Sequence, residues 1–329
     1  MSALAPTLQA FFSERLMNQR EASAHTVEAY RDSFRLLLGF ACRRTAKAPS
    51  ALDFEDLDAA LIGAFLEHLE GERGNSVRTR NCRLAAIHSL FRFAAFNHPE
   101  HADLIQRVLA IPTKRCNRTD VSFLEGDEIE ALLAAPQRSR WIGRRDHALL
   151  VTAVQTGLRV SELTGLRCAD VRLDRGAHVR CLGKGRKQRC TPLTTNTASV
   201  LRVWLQERGG GPRDPLFPTS RGKPLSRDAV ALLVSRHAKV AEERCPTLKS
   251  KSVSPHVLRH SAAMTLLRAG VDATVLALWL GHESVETTQV YIHADLTIKE
   301  RALARTAPLD APPGRYRPPD ALLAFLEGL

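Results

Sequence analysis

The sequence of 329 residues lacks the features of secreted, disulfide-stabilised and membrane-spanning proteins. Its seven cysteines are scattered and form no CxxC pair, which suits thiols in a reducing compartment better than disulfides or zinc ligands. No apolar run approaches membrane-spanning length, and the opening residues have neither the basic start nor the long apolar core of a signal peptide. We therefore expect a soluble, cytoplasmic protein with no membrane association.

Acidic residues are in the minority, since 35 Asp and Glu stand against 47 Lys and Arg, a net charge of +12. This balance favours a polyanionic partner. Nucleic acid is favoured over a membrane surface because no amphipathic lipid-binding pattern is present. The length suggests two domains, large enough to need no disulfides or structural metals.

Residues 1–110 are predicted to form an all-helical domain, because apolar residues recur three or four positions apart. The predicted helices cover residues 7–19, 24–44, 54–70 and 76–96. On the fourth helix, an apolar stripe through Leu84 and Phe91 predicts the buried face, and Arg80 and Arg83 are placed on the opposite face. Those arginines either contact a nucleic acid or belong to a solvated surface, and the sequence leaves both open.

Residues 111–122 are predicted to be a linker, because Pro112 breaks the helical pattern. The segment carries Lys114, Arg115 and Arg118, whose charges suit a chain that follows a nucleic-acid backbone. A basic surface loop is the alternative.

Residues 123–307 are predicted to form a second domain that is mainly helical with one small β-hairpin. Its helices are expected at residues 124–135, 141–157, 195–207 and 226–242, and its strands at 178–182 and 188–193. Lys184 lies in the turn between the strands, flanked by two glycines. The GKG sequence is not a phosphate-binding P-loop, because the required spacing and the following Ser or Thr are missing.

The stretch from Ser254 to His293 concentrates residues that suit chemistry. His256, Arg259 and His260 are spaced i, i+3 and i+4, so one helical face presents all three. Gly281 is predicted to end the next helix and to deliver His282 just beyond it, nine residues before Tyr291.

A phosphodiester is the substrate that such a group fits. Arginine binds two anionic oxygens at once and stabilises the charge that grows at phosphorus in the transition state. A tyrosine hydroxyl becomes a nucleophile when cations and a nearby base lower the cost of losing its proton, and histidine accepts protons near neutral pH. This chemistry needs no metal and predicts a covalent phosphotyrosyl link.

The motifs TGLRVSEL, GKGRKQR, HVLRH, LGH and the final Tyr291 resemble, in order and spacing, the tyrosine recombinase (integrase) family, which includes Xer-type and phage integrases. The resemblance covers about residues 5–300. It implies an N-terminal helical core-binding domain of the SAM-like kind and a C-terminal catalytic domain, which together clamp duplex DNA.

The resemblance also implies roles for individual residues. Arg159 and Arg259 would hold the scissile phosphate, and Lys184 would donate a proton to the departing 5′ oxygen. His256 would accept the proton of the nucleophile Tyr291, which forms a 3′-phosphotyrosyl bond.

Three further residues complete the predicted site. His282 would orient the phosphate and stabilise its charge, Glu162 would support the first arginine, and His260 would be a supporting residue. The implied reaction is site-specific recombination through a Holliday junction without a cofactor. It uses a tetramer on two duplex DNA sites, with partner recombinases possible.

The sequence leaves several readings open. A mobile-element integrase is favoured by the long ending, against Xer-type dimer resolution, a type IB topoisomerase or a non-enzymatic DNA-binding regulator. A zinc hydrolase is disfavoured, because Val257 replaces the glutamate of HExxH. In the ending, residues 308–329 are predicted to be a Pro-rich tether and tail, in which Tyr316 is a rival nucleophile. Either 297–306 or the apolar end of the chain could dock on a neighbouring protomer.

Overall fold

The computed structural model describes residues 4–116, 121–183 and 188–282, together with Thr288 and Tyr291. Contacts divide the chain into two units, Met1–Thr119 and Asp120–Leu329. The predicted fold class is confirmed, because the described residues are mainly helical with one small antiparallel sheet. Of the helices in these ranges, none combines the length and apolar character that crossing a membrane requires.

The first unit is built from helices. They are α1 (Leu4–Ala10) with a π-helical continuation (Phe11–Gln19), α2 (Ala24–Thr45), α3 (Ala59–Gly71), α4 (Val77–Asn97) and α5 (Ala102–Leu109). Short 3-10 turns lie at Pro49–Ala51, Phe54–Leu57 and Pro99–His101. Three of the four predicted helices are confirmed, and the predicted helix over residues 54–70 is divided at the extended Asp58 into a 3-10 turn and α3. Helix α5 was missed because it is only eight residues long.

Local capping fixes where three of these helices begin. The side chains of Ser23, Asp58 and Ser76 precede α2, α3 and α4, and each accepts a hydrogen bond from a backbone N–H three residues later. Helix α4 is central, since it packs against α2, α3 and α5. Its apolar stripe is buried as predicted, with Leu84 and Phe91 both 0% exposed.

The placement of Arg80 on the outer face of α4 was wrong. Arg80 is buried, and its Nη1 donates to the Pro112 carbonyl at 3.0 Å. The adjacent Asn81 donates to the carbonyl of Lys114 and accepts from its N–H, at 2.8 and 3.1 Å. Helical periodicity could not reveal this, because the buried partner is the backbone of the predicted linker, about thirty residues away.

The second unit is also mainly helical. Its helices are α6 (Gly126–Ala134), α7 (Trp141–Thr156), α8 (Val160–Gly165), α9 (Thr195–Arg208), α10 (Arg227–Ala241), α11 (Pro255–Arg268) and α12 (Ala273–Leu280). Its strands are β1 (Val171–Arg172), β2 (His178–Leu182) and β3 (Gln188–Pro192), and 3-10 turns lie at Cys168–Asp170 and Pro246–Ser250. The sheet has the order β1-β2-β3 with antiparallel pairs. Strands β2 and β3 match the predicted hairpin, whereas β1 is too short to show a pattern.

Helix α7 forms the centre of the second unit and packs against α6, α9 and α11. Its Asp146 is fully buried, and Arg145 and His237 bind opposite oxygens of that carboxylate. Burial alone would raise the pKa of Asp146, but the hydrogen bonds from His237 and Arg145 hold it below its ordinary value. This charged group therefore ties α7 to α10 as a satisfied structural contact.

We expect Phe91→Ala to lower the free energy of unfolding by about 3–5 kcal/mol, because it leaves a cavity in a fully buried position. Phe96→Ala is the matched control, since Phe96 lies on the same helix and is 89% exposed. Urea unfolding followed by circular dichroism measures both. Equal losses in the two variants would contradict the assignment of the core face.

Candidate active site

Three successive carbonyl groups at the end of α12 each accept a hydrogen bond from a different arginine. The bonds run from Arg189 Nε to Trp279 (3.1 Å), from Arg259 Nη2 to Leu280 (2.7 Å) and from Arg159 Nη2 to Gly281 (3.0 Å). The last carbonyls of a helix have no partner within it and carry partial negative charge. Each guanidinium group gives one of these carbonyls a hydrogen-bond donor and places a positive charge beside its partial negative charge. The end of α12 therefore brings three cations together.

Gly281 ends α12 in the left-handed conformation, with φ of 64°. The backbone conformation favours glycine, and a Cβ atom added there would meet Arg189 Nη1 at 2.7 Å, so the guanidinium group would have to shift. The predicted role of Gly281 as a helix stop is confirmed. The N–H of His282, directly after it, donates to the Ala277 carbonyl at 2.9 Å.

Arg159 and Glu162 meet at the start of α8. The Arg159 N–H donates to Glu162 Oε2 at 2.7 Å, and Arg159 Nη1 donates to Oε1 at 3.1 Å. The resemblance assigns Arg159 to a phosphate, and about a third of its side chain is exposed. Part of the Arg159 side chain is therefore accessible to solvent.

Arg189 is the important residue that the sequence analysis missed. From β3 it binds Glu162 through both Nη atoms, each at 2.8 Å, in addition to its bond to Trp279. Burial would raise the pKa of Glu162, but the hydrogen bonds from Arg189 and the Arg159 N–H, with the two guanidinium charges, hold it below its ordinary value. The second arginine of the GKGRKQR motif was the only signal in the sequence.

Arg259 projects from α11 into the protein and is 2% exposed. Its Nη1 donates to the carbonyl of Gly157, the residue that ends α7, at 2.6 Å. Burial and then the charge of Arg159 lower the pKa of Arg259 to about 10, so it stays charged at neutral pH. One guanidinium thus joins the ends of α7 and α12.

Tyr291 lies against the histidines of this site and is 2% exposed. Its hydroxyl is 2.9 Å from His260 Nδ1, and its ring stacks on His282 with centroids 6.3 Å apart. His256 is exposed, and its ring meets that of His260 edge-on at 4.3 Å. His260, which the sequence analysis treated as a supporting residue, is therefore the histidine bonded to the tyrosine hydroxyl.

The protonation states of these groups follow from burial in a cationic pocket. Burial raises the pKa of Tyr291, although Arg259 and Arg159 oppose this. Burial, His256 and Arg259 lower the pKa of His260 to about 4. Burial and the arginines also lower the pKa of His282 to about 4, and its Nδ1 lies 2.8 Å from the Thr288 hydroxyl. At neutral pH, tyrosine is protonated and both imidazoles are neutral.

The other predicted site residues lie elsewhere or outside the described ranges. Lys184 and Arg118 fall outside them. In the first unit, Arg115 is exposed, Arg83 is half-buried, and Lys114 pairs with Glu70. Across the described ranges, no three His, Cys, Asp or Glu side chains are grouped so as to hold a metal ion.

We expect Glu162→Gln to cost about 3 kcal/mol at neutral pH, because it removes the buried negative charge between two arginines. Because the folded pKa of Glu162 lies below the ordinary 4.5, the carboxylate's contribution is present above 4.5 and is lost as the pH falls. The difference between wild type and variant should therefore shrink in acid. Urea unfolding at several pH values tests this, with the exposed Glu130→Gln as control. A difference that did not change with pH would contradict the assigned pKa direction.

Family models match both units of the chain. The phage integrase family matches residues 122–297, and the phage integrase N-terminal SAM-like domain matches residues 9–97. The second match confirms the predicted SAM-like class of the first unit.

Individual proteins give the same result. The chain is 57% identical over 328 residues to y4rC of Sinorhizobium fredii, named as an integrase/recombinase, covering 100% of this chain and 99% of y4rC. It is 34% identical over 288 residues to the tyrosine recombinase XerC of Pelobacter propionicus, covering 87% and 90%. A crystal structure of the site-specific recombinase XerH, bound to a palindromic difH substrate after cleavage, shares the fold. Its TM-score is 0.67 at 24% identity, and the match covers 87% of this chain and 81% of XerH. The chain therefore belongs to the phage integrase family of tyrosine recombinases, enzymes that break and rejoin DNA strands.

Proposed function

We propose that this protein is a site-specific DNA recombinase that cuts and rejoins duplex DNA through a 3′-phosphotyrosyl bond at Tyr291. The observation that carries the proposal is the position of the Tyr291 hydroxyl, bonded to a histidine inside a pocket built on Arg159 and Arg259. Family membership supports the reaction class, and the geometry supports this tyrosine as the nucleophile.

In the proposed reaction, Arg159 and Arg259 bind the non-bridging oxygens of the scissile phosphate. Negative charge grows on those oxygens as phosphorus becomes five-coordinate, so fixed cations favour the transition state over the ground state. The carbonyls and Glu162 fix both guanidinium groups before DNA binds, which avoids reorganisation during the reaction.

Attack by the Tyr291 oxygen forms one P–O bond while the bond to the 5′ oxygen breaks, and the hydroxyl proton passes to a histidine of the same site. Lys184 donates a proton to that departing oxygen, a role that rests on the resemblance of the hairpin motif. One phosphodiester replaces another, so the bond energy is retained and no nucleotide cofactor is needed. A 5′ hydroxyl from a second strand reverses the step on a new partner.

The histidines take part in this scheme without carrying permanent charge. His282 is neutral at neutral pH, so it acts as a hydrogen-bond donor that orients the phosphate, as the resemblance implies. His256 lies at the exposed edge of the same helical face, where it can contact the DNA backbone or exchange protons with solvent.

Access to the pocket requires local movement. Tyr291 and Arg259 are each 2% exposed, so DNA must displace the side chains that cover them before the phosphate can reach both groups. Such closure before binding protects the nucleophile from unproductive reactions.

The wider assembly follows from the same proposal. The exposed Arg115 and Lys114 contact the DNA backbone, with Arg83 and Arg118 as further candidates. Arg80 is assigned instead to holding residues 112–114 against α4.

Four protomers assemble on two DNA sites and exchange strands through a Holliday junction in the cytoplasm, where the DNA lies.

We expect Tyr291→Phe to retain site-specific DNA binding and to form no covalent complex, because only the attacking oxygen is removed. The assay incubates each protein with a nicked suicide substrate and resolves covalent adducts on a denaturing gel. Tyr316→Phe is the control and should react like wild type. Adduct formation by Tyr291→Phe would exclude Tyr291 as the nucleophile.

Within this reaction class, we propose that the protein serves a mobile element. The full-length likeness to y4rC, which is named as an integrase/recombinase, supports this. The likeness to XerC supports the alternative of resolving chromosome or plasmid dimers.

Sequencing of DNA trapped covalently on the protein in its own cells separates these two roles. We expect the trapped fragments to map to the ends of an element that differs in position between strains. Fragments from one fixed chromosomal site would instead support dimer resolution.

A further inference from the structure

We propose that residues 121–125, here called the linker end, hold Tyr291 in the position from which it attacks DNA. The inference rests on the proposed function for the role of Tyr291, and it deepens that function by adding residues outside the group of arginines and histidines. The sequence analysis assigned residues 111–122 to a linker, so this part of the chain was expected only to connect the two units or to follow DNA.

Two contacts fix the linker end along α11, the helix that carries Arg259. The backbone N–H of Leu124 donates to Ser261 Oγ at 2.8 Å, and the two residues are 2% and 0% exposed. Two turns further along α11, Arg268 forms an ion pair with Glu125, in which Nη2 lies 3.1 Å from Oε1. The linker end therefore follows the same helix that presents a phosphate-binding side chain.

Phe123 is held from both sides by cations. Its carbonyl accepts a hydrogen bond from Lys251 Nζ at 2.9 Å. Its ring centroid lies 5.0 Å from Arg268 Cζ and 6.0 Å from Lys251 Nζ, which are distances at which a cation attracts an aromatic face. Lys251 also donates to Glu128 Oε2 at 2.7 Å, and Glu128 is 3% exposed. Because Lys251 is fixed on a buried carboxylate, the backbone and ring of Phe123 have one preferred position.

The linker end packs on the apolar cluster that contains Tyr291. The other buried members of this cluster come from α11 and α12, and they are Ala263, Met264, Leu267, Leu276 and Leu280. Val121 and Phe123 pack against it, as do Leu266 from α11 and Trp279 from α12. Among the described residues, the linker end is thus the part of the cluster's surroundings that neither helix supplies.

This packing determines where the Tyr291 oxygen lies. The Tyr291 ring belongs to the apolar cluster, while its hydroxyl is bonded to His260. Val121 and Phe123 have no side-chain group that could bind phosphate or move a proton, so they act by fixing the position of the ring. Misplacing a reacting group by about 1 Å can cost on the order of 100-fold in rate. The linker end is therefore a positioning element of the reaction.

The test measures the surroundings of Tyr291 directly. The chain has three tyrosines, so a parent protein with Tyr30→Phe and Tyr316→Phe leaves Tyr291 as its single tyrosine. Ionisation of that tyrosine is followed by ultraviolet absorbance against pH without DNA, and circular dichroism checks folding at each pH. Phe123→Ala and Phe123→Leu are compared in this parent. Phe93→Ala is the matched control, because Phe93 is a partly buried phenylalanine at the core of the other unit.

We expect Phe123→Ala to lower the pKa of Tyr291, because burial raises that pKa and the substitution opens the cluster. Phe123→Leu refills most of the space and should restore the parent titration, and Phe93→Ala should leave it unchanged. The charged and titratable groups that face Tyr291 are the same in every variant, and they are His260, His282, Arg159 and Arg259.

Cleavage is measured separately from binding. Single-turnover covalent capture on the nicked substrate should be at least about tenfold slower for Phe123→Ala, since the attacking oxygen is less well placed, while DNA affinity stays at the parent value. Phe123→Leu should recover most of the rate, and Phe93→Ala should cleave like the parent. Val121→Ala, a smaller change beside the same cluster, is the second variant should Phe123→Ala fail to fold, and the same direction is expected for it.

The inference is wrong if folded Phe123→Ala keeps the parent cleavage rate, whatever its titration shows, because the position of Tyr291 would then not depend on the linker end. Slower cleavage with an unchanged Tyr291 titration also contradicts it, since the effect would pass through another group. Failure of the proposed function has a different signature. The parent itself would then bind DNA and form no covalent complex, whereas the titration, which needs no DNA, would still report on the contact between the linker end and the cluster.

Discussion

The candidate site depends on one contact pattern, the binding of three guanidinium groups to the last carbonyls of α12. Each arginine comes from a different part of the second unit: Arg159 from the start of α8, Arg189 from β3 and Arg259 from α11. The helix end therefore joins segments that lie far apart in sequence. It also determines where the chain leaves α12 toward His282, because Gly281 supplies the last of the three carbonyls and ends the helix in the left-handed conformation.

This arrangement concentrates positive charge that the described residues only partly neutralise. Glu162 is the carboxylate that contacts two of the three arginines, and the carbonyls supply partial charges only. The lowered pKa of Arg259 records the cost of burying a cation beside Arg159. In the reaction that we propose, the phosphate brings further negative charge to these arginines, so the cost of burying them favours binding of the substrate.

The sequence predicted those features that depend on local patterns. Helices with clear apolar periodicity and the β2–β3 hairpin were placed within a few residues, and the Arg159–Glu162 pair follows from a spacing of three on a helix start. The missed features depend on distant partners. The burial of Arg80 depends on the Pro112 carbonyl, and Arg189 contacts Glu162 across 27 residues of sequence. Periodicity within one element carries no information about such contacts.

For the histidines too, the sequence pattern does not identify the contact that forms in the folded protein. The histidines also differ from the arginines in what they contribute to the site. A spacing of four places His256 and His260 on one face of α11, but the position of Tyr291 decides which ring meets the hydroxyl. Permanent positive charge comes from the arginines, which cannot lose their protons at neutral pH. Because burial and then the neighbouring groups lower the pKa values of His260 and His282 to about 4, the imidazoles remain neutral and available for hydrogen bonding and proton transfer. A site that relied on histidine for its charge would lose it in such a buried, cationic pocket.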